Sequence, residues 1–304
     1  MKFRFSQIQL SAILVVLSLF TFISCQKEHS QNGSDDQQQE EASTVSSESD
    51  AQAEDIFSRV FDDAMGANDE VGVGGSGVFY GRTDTLTPVP RCFTVTIEHP
   101  NGTPFPVRIT IDFGNTGCPG PDGHVRRGKV ITEYTARLIV PGAVAVTTFD
   151  GFYIDDIKVE GTHKITNISS ANTTPLARKF KVEVIEGKLT KPNGNYIKWN
   201  STKFITQVEG LVTATPLDDI FKIEGSANGQ ALRGNLLVAW QSTITEPLIK
   251  RFTCRWIVRG RIRTVRVNTS NNSPWVAILD FGNGICDNQA TLAINGVTHQ
   301  ITLP

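Results

Sequence analysis

Residues 181–206 read KVEVIEGKLTKPNGNYIKWNSTKFIT, in which apolar and polar side chains alternate on both sides of Asn193-Gly194. Alternation with a period of two is the pattern of a β-strand with one buried face. Asn-Gly is favoured in tight hairpin turns, because both central residues of a type I′ turn have positive φ. The segment therefore predicts two antiparallel strands joined by a short turn.

The same pattern recurs from about residue 79 to residue 304. Short alternating runs are separated by turn signals, which are Asn101-Gly102, Asp122-Gly123, Asn193-Gly194, Asn228-Gly229 and Asn295-Gly296. Many short strands connected in this way predict an all-β body built as an antiparallel meander. Periodicity leaves three arrangements open, which are a sandwich, an open barrel and an elongated sheet.

Composition excludes several classes of protein. The chain has 304 residues, of which 39% are hydrophobic and 20% charged, and its formal net charge is −2. These values exclude a collagen, a wholly disordered chain and a polytopic membrane protein. Five Cys, five His and two Met argue against a metalloprotein with several centres. The net charge argues neither for nor against a nucleic-acid partner, and we expect no nucleic acid, no cofactor and no metal.

The N-terminus has the features of a processing signal. Lys2 and Arg4 precede an apolar run from Ile8 to Ile23, which is short for a transmembrane helix. Ser24-Cys25 follows this run and resembles the lipobox of bacterial lipoproteins. The resemblance implies a signal peptide over residues 1–24, a lipid anchor on Cys25 and a membrane as partner. The alternative is an ordinary secretory signal with a chance Cys.

A polar, acidic segment follows the signal. Residues 26–55 hold nine acidic residues, one basic residue and no aromatic residue. Such a composition buries too little apolar surface to offset the entropy of ordering. We therefore expect a disordered acidic tether over residues 25–52. Residues 53–78 are expected to form a short helix, with an apolar face over Ala53–Met65, and a Gly-rich joint to the β body at residues 79–304.

The β body contains an internal repeat. The sequence DFGN occurs at residues 112–115 and again at residues 280–283, and each copy is followed by a Cys at the same offset. Each copy also has another Cys upstream. The repeat therefore relates about residues 88–140 to about residues 250–304.

The repeat suggests how four cysteines pair. Four Cys allow three pairings, and the repeat favours disulfides Cys92–Cys118 and Cys254–Cys286. A different pairing stays open, because the two upstream cysteines fall on different strand faces. Cys254 shares its face with apolar residues at 252, 256 and 258, whereas Cys92 shares its face with polar residues at 94, 96 and 98. A zinc site is disfavoured, since the chain has no CxxC and no His near these Cys pairs at finger spacing.

The repeated residues resemble a group of uncharacterised lipoproteins of Bacteroidota. The resemblance rests on the first DFGN copy with PDGHVRRGKV at residues 121–130, and on CRWIVRG at residues 254–260 with the second copy. It covers most of residues 90–304. It implies an envelope location, at the outer membrane and facing the periplasm or the surface, and a β architecture. It carries no activity over to this chain.

We predict no catalytic residue. Asp-Phe-Gly holds magnesium in kinases, but the companion catalytic loop and lysine strand are absent. We interpret both copies as turns, in which Asp accepts a backbone N–H and Gly has positive φ. A second hypothesis concerns acids that could form a glycosidase pair or a calcium site, although turn and strand-edge positions explain them more simply. These acids are Asp150, Asp155, Asp156 and Glu160.

Arginines are concentrated near residue 255. The candidate anion-binding residues are Arg251, Arg255, Arg259, Arg261 and Arg263. The first three alternate with apolar residues over 252–258, which predicts a strand with guanidinium groups on its solvent face. Such a face either discourages edge pairing or binds anionic glycans or lipid headgroups.

The sequence favours a lipid-anchored protein of the cell envelope that acts as a non-enzymatic binding or structural module. Anionic glycans or lipid headgroups are its expected ligands. One alternative is a carrier that holds a hydrophobic ligand in a curled sheet. Another is an enzyme that acts on glycans.

Overall fold

A computed structural model of the chain describes residues 28–66, 92–120, 123–170, 177–211, 218–254, 256–267 and 269–303. Four of the predictions concern parts of the chain outside these ranges. They are the signal peptide, the lipid anchor at Cys25, the Gly-rich joint and the solvent-facing Arg255.

The β body is one antiparallel sheet. Its strands are β1 (Thr94–Glu98), β2 (Val107–Asp112), β3 (Cys118–Pro119), β4 (Val125–Tyr134), β5 (Val144–Ile154), β6 (Ile157–Asn167), β7 (Lys179–Thr190), β8 (Tyr196–Glu209), β9 (Ile220–Arg233), β10 (Leu236–Arg251), β11 (Arg259–Arg266), β12 (Ala277–Asn283), β13 (Gln289–Ile294) and β14 (Val297–Thr302). They pair in chain order, except that β2 pairs directly with β4 and β3 pairs with the start of β4. The prediction of an antiparallel meander is confirmed. Among the described residues β1 and β14 do not pair, so the sheet is not closed.

One predicted turn is wrong. Asn295-Gly296 joins β13 to β14 with φ of 50° and 76°, as expected for a tight turn. Asn228-Gly229, in contrast, lies inside β9, and Gly234 with φ of 60° makes the turn to β10. A Cβ on Gly229 would lie 2.4 Å from the Trp240 ring. The glycine therefore makes room for an indole on the next strand.

The chain divides into two units, residues 1–41 and 42–304. Helix α1 (Glu28–Gly66) runs through the end of the first unit and the start of the second. In the first unit, residues 35–38 and 41 of this helix are exposed. The predicted disordered tether is wrong over residues 28–52, and the helix predicted to be short has 39 residues.

In the second unit α1 is buried around most of its circumference. The buried residues are Ala42, Ser43, Val45, Ser46, Ser47, Ser49, Asp50, Ala51, Ala53, Glu54, Ile56, Phe57, Arg59, Val60, Phe61 and Ala64. The apolar residues among them pack against inward-facing side chains of the sheet in two clusters, one that includes Phe61 and one that includes Phe57. A single stripe along the helix is half-buried, and it consists of Thr44, Glu48, Gln52, Asp55 and Ser58.

The small and polar residues that predict disorder in this segment allow it to pack as a buried helix. Ser and Ala are small, so a helix rich in them allows strands to approach from several sides. Two buried carboxylates of the helix have polar partners on the sheet. Asp50 Oδ1 accepts the indole N–H groups of Trp199 and Trp240 at 2.8 and 3.0 Å. Glu54 pairs with the buried ammonium of Lys203 at 2.9 Å. Partners of this kind replace the water that each polar group gives up.

A register row of small and polar side chains crosses the inner face of the sheet. Its members are Ile109, Thr132, Thr147, His163, Val184, Ser201, Ala227, Ser242, Thr264 and Ala277, and all ten are buried. Thr132 and Thr147 share a hydrogen bond of 2.9 Å. Burial lowers the pKa of His163 to about 3, so this imidazole is neutral at physiological pH.

Two disulfides flank the meander. Cys92 is bonded to Cys118 and Cys254 to Cys286, over 26 and 32 residues of chain. The first encloses the β1–β2 hairpin and the second encloses β11 and β12. The pairing favoured by the internal repeat is confirmed, and the two repeat copies stand near opposite ends of the strand order.

Candidate functional site

The arginines do not share one strand. The predicted strand over residues 252–258 is wrong, because β10 ends at Arg251 and β11 begins at Arg259. Backbone N–H groups of this segment make isolated hydrogen bonds instead of a ladder, such as that from Cys254 N to Arg251 O at 3.0 Å. Within β11 the alternation holds. Arg259, Arg261 and Arg263 face outward between the buried Gly260, Ile262 and Thr264.

Arg261 is held between two carboxylates. It stands opposite Glu246 on β10 and opposite Asp280 on β12 in the strand register. Its Nη1 donates to Glu246 Oε1 at 2.6 Å, and its Nε donates to Asp280 Oδ2 at 2.7 Å. The bond to Asp280 raises the pKa of Arg261. These contacts make Arg261 a fixed, locally neutralised group rather than a free cation.

Asp280 carries two roles. Its Oδ1 accepts the backbone N–H of Gly282 at 2.9 Å, while Oδ2 holds Arg261. Partial burial works to raise the pKa of Asp280, but the hydrogen bonds from Arg261 and Gly282 outweigh it and leave this pKa below its ordinary value. Asp280 is therefore an ionised acceptor at physiological pH.

The first copy of the repeat contains the same contact between Asp and Gly. Asp112 Oδ1 accepts the N–H of Gly114 at 2.9 Å, and Gly114 and Gly282 have φ of 69° and 88°. The predicted Asp contact and the positive φ of Gly are confirmed in both copies, but the predicted turn is wrong for the second copy. Residues 280–283 lie within β12, where a register shift between the Arg259–Asn283 and Arg261–Asp280 pairs forms a bulge. The copies differ in the partner of the second carboxylate oxygen, since Asp112 Oδ2 lies 3.8 Å from Lys129 Nζ instead of in a bonded pair with Arg.

Arg261 and Asp280 belong to a longer line of polar residues on the outer face. The register continues from Asp280 to Thr291 on β13 and to Gln300 on β14. We name this line the polar row; it consists of Glu246, Arg261, Asp280, Thr291 and Gln300. All but Glu246 line a surface depression of about 460 Å³, which is also bordered by Phe281, Gly282, Asn283, Ile285, Asp287, Gln289 and Ala290.

The other arginines of the predicted patch have different surroundings. Arg263 Nη2 donates to the carbonyl of Asn271 at 2.5 Å. Arg259 is exposed and stands opposite Asn283, at the border of the depression. Gly284 lies in the loop that follows β12. The Arg251 guanidinium lies about 3.7 Å from where a Cβ on this glycine would be. Arg251 and Arg259 thus flank the end of β12 and the loop that follows it.

The acids proposed for a glycosidase or calcium site are spread over strand surfaces. Asp155 and Asp156 form the β5–β6 turn with φ of 46° and 63°. Asp155 accepts from His124 and from the N–H of Val125. Asp150 stands opposite Lys129, and Glu160 pairs with Lys158 at 2.7 Å. Over the described ranges, no three His, Cys, Asp or Glu side chains are grouped as metal ligands would be.

The interior bears on the carrier alternative. A carrier needs a cavity lined by apolar side chains. In the described part of the second unit, the inner face of the sheet packs on α1 instead, with Phe57 stacked on Trp199 at 5.7 Å between ring centroids. The space that a ligand would take is filled by the helix.

Sequence reasoning missed Glu246, Thr291 and Gln300. Their strands alternate, so each could have been placed on the outer face, but their alignment depends on the register between five strands, which includes shifts in β10 and β11. Register shifts leave no mark in the periodicity of a single strand.

Comparisons with known proteins are negative. No protein-family model matches the chain, and no curated protein or solved structure matches it. Of the helical residues that the structure describes, none belongs to a helix long and apolar enough to span a bilayer.

Proposed function

We propose that this protein is a lipid-anchored component of the cell envelope, and that its β body is a non-enzymatic module that binds a glycan at the polar row. The single observation that carries this proposal is the Glu246–Arg261–Asp280 pairing, because it presents fixed polar groups in an open depression of about 460 Å³.

The chemistry of the depression suits a hydroxyl-rich ligand. Sugar hydroxyls both donate and accept, and the lining offers carboxylate acceptors at Asp280 and Asp287 and amides that do both at Asn283, Gln289 and Gln300. Arg261 and Asp280 are already oriented by each other, so little freedom is lost when a ligand binds. The depression is shallow and polar, unlike a site for an apolar molecule.

Charge at the border favours a glycan with anionic substituents. Arg251 and Arg259 flank the end of β12 and the loop that follows it, and Arg259 is exposed. Guanidinium groups bind carboxylate, sulfate or phosphate through paired N–H donors. We expect binding to weaken as salt rises, because exposed charges are screened.

Binding to a panel of neutral and sulfated glycans tests the site. Asp280→Asn keeps an oxygen for the Gly282 N–H but removes the charge that holds Arg261, so affinity should fall at least about tenfold. Asp112→Asn makes the same change in the other repeat copy and should leave affinity unchanged. The proposal fails if wild type binds no glycan, or if both variants bind like wild type.

Arg259→Gln tests the anionic preference separately. The variant should lose affinity for sulfated glycans and keep its affinity for neutral ones. Its melting temperature should stay close to that of the wild type, because isolated surface charges contribute about 0–1 kcal/mol. Equal affinity of both proteins for sulfated glycans would remove Arg259 from the site.

The anchor is tested apart from the glycan site. Radiolabelled palmitate should be incorporated into the wild type and not into Cys25→Ala. Equal labelling of the two proteins would contradict lipidation at Cys25. An envelope location is supported by the two disulfides, which are typical of oxidising compartments.

A further inference from the structure

We propose that a second site, formed by Lys191 and Arg233 at the half-buried stripe of α1, binds a phosphate-type anion. The site shares Gln300 with the polar row but has its own cations, and it goes beyond the proposed glycan binding. It is a depression of about 450 Å³ between the ends of two hairpins, the helix and the last strand.

The two cations come from neighbouring hairpin turns. Lys191 follows β7, and Arg233 ends β9. The turns are tied together by Asn195, whose carbonyl accepts the Lys191 N–H at 2.8 Å and whose Oδ1 accepts the Gly234 N–H at 3.0 Å. These hydrogen bonds therefore fix the relative position of the two turns from which the side chains extend.

The charges around the depression are unbalanced. Its lining holds two cations, Lys191 and Arg233, and one carboxylate, Glu48. Glu48 Oε2 is used by Arg233 Nη1 at 2.7 Å. The half-buried Lys191 ammonium makes no ion pair and no hydrogen bond within the described part of the chain. Burial, with Arg233 nearby, lowers the pKa of Lys191. An anion bound here would give the Lys191 ammonium a partner and would stabilise its charged form.

The remaining lining supplies donors rather than further charge. Gln52, Gln300 and Thr302 border the same depression. In a bound anion, the lysine ammonium would contact some of the oxygens, and the amide and hydroxyl groups would donate to the others. A tetrahedral oxyanion with several acceptors, such as a phosphate monoester, fits this set better than a carboxylate. The phosphate could belong to a lipid headgroup or to a soluble compound.

Inorganic phosphate is the probe for this site. Melting curves of the full chain are recorded over a phosphate series, with chloride keeping the ionic strength constant. A ligand that binds the folded state raises the melting temperature with its concentration. Wild type should show this rise and Lys191→Gln should lose it, while Lys191→Arg should restore part of it. Lys198→Gln, an exposed lysine on the same hairpin, is the matched control and should respond like wild type.

Non-specific stabilisation by phosphate acts on all variants alike. If Lys191→Gln responds as strongly as wild type, or if wild type responds to phosphate no more than to chloride, the site does not exist. Vesicles identify the source of the phosphate. In the Cys25→Ala background, sedimentation with phosphatidylglycerol vesicles but not with phosphatidylcholine alone, lost in Lys191→Gln, indicates a lipid headgroup. A phosphate response without such sedimentation indicates a soluble phosphate compound.

Discussion

The indole N–H of Trp199 donates to the Asp50 carboxylate over 2.8 Å, between residues 149 positions apart in the chain. Trp240 donates to the same oxygen at 3.0 Å. One carboxylate oxygen on α1 thus fixes two strands, β8 and β10, that are separated by β9. The strand between them carries Gly229 opposite both indoles, where any larger residue would collide with a ring. Helix and sheet therefore form one core.

Removal of the Asp50 carboxylate should destabilise the fold. Asp50→Ala leaves two buried indole N–H groups without an acceptor, and each such group costs about 1–3 kcal/mol. Urea denaturation should show a free energy of unfolding lower by about 2–6 kcal/mol, on the same principle. Asp50→Asn keeps an acceptor oxygen and should cost less than Asp50→Ala.

Asp36→Ala on the exposed part of the same helix is the control, and we expect no measurable change. A loss for Asp50→Ala no larger than that of Asp36→Ala would mean that Asp50 does not hold the two tryptophans.

Gly229 should tolerate no side chain as long as Trp240 is present. The Cβ in Gly229→Ala would lie 2.4–2.8 Å from three ring atoms of Trp240. Overpacking of this kind costs about 1–3 kcal/mol. The cost should shrink in a Trp240→Phe background, because the smaller ring leaves that space free. A double-mutant cycle measures this coupling, and additive effects would show that the two residues do not touch.

The buried pair Glu54–Lys203 should be costly to break on one side only. Lys203→Met leaves a buried carboxylate unpaired, which costs about 3–5 kcal/mol. The double variant Glu54→Gln, Lys203→Met should recover most of this loss. Lys181→Met, which breaks the more exposed pair with Glu183, should cost about 0–1 kcal/mol. Equal losses for the two lysine variants in urea denaturation would contradict burial of the first pair.

His163 should make stability depend on pH in the acid range. Its pKa is about 3 in the folded chain and about 6.5 when unfolded, so between these values only the unfolded state binds the proton. The free energy of unfolding is unaffected by His163 above pH 6.5. It should fall as the pH is lowered toward 3, with a contribution approaching about 1.4 kcal/mol per pH unit.

Urea denaturation at a series of pH values measures how steeply the free energy of unfolding falls with pH. His163→Gln should flatten this slope, and His99→Gln, at an exposed position, should not. If His163→Gln keeps the slope of the wild type, other groups cause the acid sensitivity.

Much of the sheet follows from the sequence because a meander is a local fold. Each strand pairs with a neighbour in the chain, so alternation and turn residues determine most of its architecture. Asn228-Gly229 shows where this reasoning ends. The dipeptide is typical of a turn, but its glycine is required by the Trp240 ring, which leaves no space for a Cβ. The local sequence pattern does not indicate this contact. Packing between strands therefore explains why Asn228-Gly229 lies inside β9 and does not form a turn.

Helix α1 could not be predicted over residues 28–52. Amphipathic analysis looks for an apolar stripe on one face, and this helix carries small and polar residues on most of its faces. Three of its acidic side chains, Glu48, Asp50 and Glu54, contact Arg233, the two tryptophans and Lys203. These partners lie far along the chain, so composition alone made the segment look like a solvated tether.

The candidate site was predicted in part. Arg259, Arg261 and Arg263 face outward as their alternation indicated, and the Gly282 N–H bonds Asp280 as the DFGN motif indicated. The neutralisation of Arg261 by Glu246 and Asp280 was not foreseeable, because it requires the register of three strands. Charge counted along the sequence therefore overstated the free positive charge on this face.

Hydrogen exchange of the backbone amides at residues 42–52 tests the central claim most directly, which is that α1 fills the inside of the sheet and leaves ligand binding to the outer face. Most of these residues are buried in the structure, whereas their composition predicts disorder. We expect their amides to exchange only through global unfolding, with protection similar to that of β8. Exchange at the rate of an unstructured peptide would contradict the account and would reopen the interior of the sheet as a ligand cavity.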